Sequence, residues 1–69
     1  MDQAIAHFQM ALALKPDLAE VHNDLGMVYV HLGKTEQAIS HLRTALALNP
    51  DDQHIRHNLA NVLEDKKVR

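Results

Sequence analysis

The stretch TEQAISHLRTALALNPDD, residues 35–52, nearly repeats the opening MDQAIAHFQMALALKPDL, residues 1–18. Ten of these 18 aligned pairs are identical, among them Gln3/Gln37, Ala4/Ala38, Ile5/Ile39, His7/His41, Ala11/Ala45 and Pro16/Pro50. The offset is 34 residues. Self-similarity at a fixed period marks stacked supersecondary units, each of which buries its apolar face against a neighbour. At the same offset, residues 19–35 and 53–69 keep Leu25/Leu59 and Val28/Val62 identical, while Val21/Ile55 and Tyr29/Leu63 stay apolar. The period fades towards the C-terminus.

Inside each period the apolar spacing is helical. Ile5, Phe8, Leu12 and Ile39, Leu42, Leu46 recur at i, i+3, i+7, which puts each trio on one stripe. Leu18, Val21, Leu25, Val28 with Tyr29, and Leu32 form a comparable stripe between them. Punctuation then gives the ends. Asp2 is placed to cap a helix over about 3–14, which stops before Lys15-Pro16 because a residue preceding proline avoids the α region. Asp17 and Glu20 form a capping box for a helix over about 18–31, ended by Gly33 in the left-handed conformation. Thr35 caps a third helix over about 36–48, and Asp51 a fourth over about 52–66. Ten Leu and nine Ala, against two Gly and two Pro, agree with this reading. The expected fold class is all-α, with short loops that make consecutive helices antiparallel.

These residues resemble the tetratricopeptide repeat, whose pattern runs W-x2-L-G-x2-Y, then A-x3-F, then P. His22-x2-Leu25-Gly26-x2-Tyr29, Ala38-x3-Leu42 and Pro50 satisfy it, with His for Trp and Leu for Phe. Ala4-x3-Phe8 with Pro16 matches the second half of an earlier repeat. Leu59-Ala60-x2-Leu63 matches the first half of a later one, with Arg56 at the Trp position. The resemblance implies a short right-handed α-solenoid of four helices in a single domain. Residues 1–18 would be the second helix of one repeat, 19–52 a complete repeat, and 53–69 the first helix of a further repeat.

Composition narrows the function classes. A chain of 69 residues hides only roughly 60% of the surface its unfolded form exposes, so a deep catalytic cleft is not expected. The net charge of −2 supplies no general basic field for nucleic acid or anionic lipid. Cysteine is absent, which removes thiolate nucleophiles and Cys-based zinc sites. The longest apolar runs, such as Ala11 to Leu14, are far short of a membrane span, and a cytoplasmic location is the expectation.

Individual constellations are weak. His54 and His57 at i, i+3 could chelate a metal, and family geometry would bring His22 near them, but no H-E-x-x-H arrangement accompanies them. They read as solvated residues. Ser40, the only serine, and its neighbour His41 diverge by roughly 100° around a helix, so no nucleophile–base pair forms. Asp51 and Asp52 sit where a helix start wants caps. No catalytic residue, cofactor site or metal site is expected.

What remains is a surface for protein partners. By the resemblance, the first helices of successive repeats line a concave groove that takes an extended peptide or a partner helix. That assigns Glu20, Asn23, Asp24, Met27 and His31 from the complete repeat, and His54, His57, Asn58 and Asn61 from the last helix. Asn58-Leu59-Ala60 is similar to the asparagine-bearing repeats of O-linked sugar transferases, although Asp24 stands at the matching earlier position. The groove lacks the Lys and Arg with which other members clamp terminal carboxylates. The expected function is a non-catalytic interaction module or scaffold. The alternative is a substrate-recruiting segment of a larger enzyme such as a glycosyltransferase.

Two further expectations concern packing. Ile5, Phe8 and Leu12 at one end, and Ile55, Leu59, Val62 and Leu63 at the other, lack the neighbouring helices that the pattern implies. They are therefore expected to drive self-association, with a dimer favoured over an open stack. Gly26 marks a close helix crossing. Because Ala60 holds the equivalent place, alanine should be tolerated at 26 and leucine should not.

Overall fold

A computed structural model describes residues 2–15 and 17–68 of the chain. Met1, Pro16 and Arg69, and the side chains of Asp2, Ala4, Lys67 and Val68, lie outside the described residues, so the roles expected of them are not addressed. The fold is all-α: α1 (Asp2–Leu14), α2 (Ala19–His31), α3 (Thr35–Leu48) and α4 (Gln53–Val68). Each helix packs on the next, α2 with α3 most extensively, and α2 also touches α4. The shortest dimension is 14 Å, little more than one helix diameter, so every helix keeps a face towards solvent.

The helix ends depart from expectation in an informative way. After α2, Gly33 adopts φ +75°. Its N–H donates to the Val30 carbonyl at 3.0 Å, and the Lys34 N–H donates to the Tyr29 carbonyl at 2.8 Å. This pair of bonds is a Schellman motif, satisfying carbonyls that the helix end would leave open. Lys34 closes that motif and is also the N-cap of α3, so Thr35 becomes the first helical residue and caps nothing. Asp17 is likewise displaced: Leu18 is the N-cap of α2, with no side-chain hydrogen bond. At α4 the cap is Asp52, not Asp51. Its Oδ1 accepts the Ile55 N–H at 3.1 Å, and its other oxygen accepts Asn49 Nδ2 at 3.4 Å.

The core is drawn from α2, α3 and α4. Leu25, Ala38, Leu42 and Ala45 are fully buried, with Ile39 beside them. Ala38, Ile39 and Leu42 form one cluster with Leu59 and Val62 of α4, and Tyr29, Val30, Leu46 and Leu63 pack around it. Gly26 is buried at the crossing: a Cβ built there would lie 2.7 Å from Leu42 Cγ and 3.2 Å from the Ala38 carbonyl oxygen. The tolerance expected for alanine is thereby overturned. Ala60 is exposed, so its presence at the equivalent position says nothing about space at 26.

The expected open face of α4 is also corrected. Ile55, Leu59 and Val62 are only 2%, 9% and 6% exposed. Leu59 and Val62 face inward and join Ala38, Ile39 and Leu42 of α3 in one cluster, and Leu63 is half-buried against that cluster. Ile5, Phe8 and Leu12 on α1 are half-buried. The large apolar groups open to solvent on α1 are instead Met10, 67% exposed, and Leu14, 83% exposed.

Candidate functional site

The site is built by α2 and α4, which run parallel because α3 returns the chain between them. Asn23 of α2 and Asn58 of α4 meet directly: Asn58 Nδ2 donates to Asn23 Oδ1 at 3.0 Å. This bond bridges a groove and divides it into two concavities, with Asn58 lining both. Towards the helix starts, Glu20, Asn23, Asp24 and His54 gather, joined by Asn49, Asp52 and Ile55. Towards the helix ends, a concavity of about 340 Å³ is lined by Met27, His31 and Asn61. Val30, Thr35, Val62 and Asp65 complete its wall.

Eight of the nine residues expected on the groove are therefore together. His57 is not. It lies with Gln53 and Arg56 on another face of α4, which His54 also reaches. His57 shares a flank with His54, three places away, but is turned roughly 100° around the helix from its neighbour Asn58, which lines the groove. The groove residues missed by sequence reading are of two kinds. Val30 follows Met27 at i+3 and was visible as an extension of that stripe. Asp52 and Asn49 sit in the turn before α4, and Thr35 opens α3, so their approach to the groove depends on how the helices are joined.

The electrostatics are uneven. Burial, and then the charge of Glu20 one turn away, raise the Asp24 carboxyl above its ordinary range. Among the described residues no Lys or Arg lines either concavity. Of the described basic groups of α4, Arg56 lies on the face that carries His57, and Lys66 pairs with Glu36 of α3.

The histidines separate into unrelated environments. His22 pairs with His41 of α3, where the two Nδ1 atoms lie 3.2 Å apart and the rings stack at 5.5 Å. Tyr29 stacks on His41, also at 5.5 Å. At the position where the repeat pattern has Trp, His22 thus fills its place by ring stacking. Burial and the neighbouring His22 lower the affinity of His41 for protons. Among the described residues, no three of His, Cys, Asp and Glu come together to hold a metal ion.

With this arrangement in view, the comparison with protein families is direct. The family model for the tetratricopeptide repeat matches residues 1–64. The chain belongs to the tetratricopeptide repeat family. No curated protein matches it. Tetratricopeptide repeats generally mediate protein–protein interaction and are typically non-catalytic. Within this tetratricopeptide repeat chain, no helix of the described residues is long and apolar enough to cross a membrane.

Proposed function

We propose that the α2–α4 groove binds an extended peptide or a partner helix, and that the chain acts as a non-catalytic interaction module. The observation that carries this is the Asn23–Asn58 bond in the groove floor. One hydrogen bond uses one donor and one acceptor, so the pair keeps further N–H donors and an acceptor for a peptide backbone. Met27 and Val30 provide apolar surface beside it. An extended segment needs this combination: polar groups to read the main chain, and a pocket for an alternate side chain.

Peptides selected from a displayed random library against the chain test the proposal. Binding should weaken at least about tenfold, or 1.4 kcal/mol, in Asn58→Ala, and should be unchanged in Gln9→Ala on exposed α1. Selected peptides that ignore Asn58→Ala and Met27→Ala alike would place the binding surface elsewhere.

Self-association is part of the proposal in a narrower form than the sequence suggested. With Ile55, Leu59 and Val62 buried inside the chain, the most exposed large apolar side chains among the described residues, Met10 and Leu14 of α1, are the surface offered to a second copy.

A further inference from the structure

The two ends of the groove differ in chemistry, and the difference selects a partner. At one end Glu20 and Asp24 stand one helical turn apart on α2, and neither forms an ion pair among the described residues. Like charges at this spacing repel. Asp24 also loses part of its hydration to burial, which is the larger cause of its raised pKa. Asp52, the third carboxylate there, is engaged by the Ile55 N–H and Asn49. At the other end Met27, Val30 and Val62 contribute an apolar wall, and the single carboxylate among the lining residues there is Asp65. The Asn23–Asn58 bridge lies between the two ends.

We infer that the partner is an extended peptide presenting a Lys or Arg side chain to Glu20 and Asp24 and an apolar side chain to Met27, Val30 and Val62, an inference that rests on the groove binding proposed above. A cation placed between the two carboxylates removes their repulsion and replaces the solvation that Asp24 has lost. Arginine suits the position better than lysine, because its planar fork can meet two carboxylates at once. An acidic segment meets like charge at the same place and is rejected, which is the larger source of selectivity.

The experiment is a fluorescence-anisotropy titration of the 69-residue chain with labelled short peptides. Each carries one leucine and, at varied spacing, one arginine, glutamate or serine. The arginine series should bind roughly tenfold tighter than the glutamate series, with affinity falling as salt is raised. The double variant Glu20→Gln/Asp24→Asn should erase both the preference and the salt dependence, while circular dichroism shows the helices intact. Equal binding of all three series, still lost in Met27→Ala and Asn58→Ala, would overturn the charge preference and leave the groove standing. Binding of arginine peptides that persists in the double variant would also overturn it. Binding insensitive to all four positions would remove the groove as well.

Discussion

Gly26 shows how far one residue depends on its neighbours. Glycine inside a helix costs about 1 kcal/mol relative to alanine, so a local view predicts that Gly26→Ala stabilises. The packing decides otherwise. The added Cβ meets the branch carbon of Leu42, a side chain with no exposed surface. Overpacking of this kind typically costs 1–3 kcal/mol, which exceeds the helical gain. Gly26→Ala is expected to lower the thermal midpoint by a few degrees, a net loss of about 1 kcal/mol, and Gly26→Leu to lower it much further. His41 gives a second residue-scale prediction. Its folded pKa lies below the ordinary 6.5, so between those two values the unfolded chain binds more protons. Stability therefore rises with pH through that window, and is lost as pH falls below 6.5 towards the folded value. Asp24 carries the opposite sign, its contribution falling as pH rises from 3.8 through its raised value. Melts recorded across this range should show the acid-side decline near neutral pH, and His41→Gln should flatten it.

At the scale of the helix, the ends separate what composition can locate from what geometry assigns. Asp51 and Asp52 are chemically equivalent caps, and adjacent in sequence. The turn from Asn49 closes with the Asp52 N–H donating to the Asn49 carbonyl at 3.2 Å, which leaves Asp52 facing the first turn of α4. Asp52→Ala is expected to cost about 1 kcal/mol, and Asp51→Ala to stay within about 0.5 kcal/mol. Chemical denaturation of the two variants side by side checks the assignment. Thr35 makes the same point from the other side. It has the right chemistry for a cap, yet the two residues between Leu32 and Thr35 are consumed by the Schellman motif and the N-cap together.

Over the whole molecule, exposed surface has moved away from where periodicity placed it. The α4 stripe is covered, and Met10 and Leu14, one turn apart on α1, stand out in solvent. Pairing with a second copy through α1 is therefore the expected mode. The chain should sediment as a dimer at tens of micromolar, and Met10→Lys/Leu14→Lys as a 7.8 kDa monomer whose melting no longer depends on concentration. A wild-type chain already monomeric under these conditions would end that proposal.

The four helices, their order and the 34-residue period were legible in the sequence, because apolar spacing, Gly33 and the Asn49-Pro50 break are local signals that act over a few residues. Most groove residues were legible too, since sharing a helix face is a matter of spacing once the parallel course of α2 and α4 is known. Burial was not. Ile5, Phe8 and Leu12 repeat the pattern of Ile39, Leu42 and Leu46 almost residue for residue. Yet Leu42 is wholly buried and Phe8 only half. The cause is topological: α3 packs on both α2 and α4, whereas among the described residues α1 packs on α2 alone. The pairing of His22 with His41, nineteen positions apart, and the space denied at Gly26 have the same origin. The sequence by itself determined which segments are helical and which faces are apolar. Only the tertiary structure decided which of those faces leave water, because burial belongs to pairs of surfaces and a repeat cannot specify its neighbour.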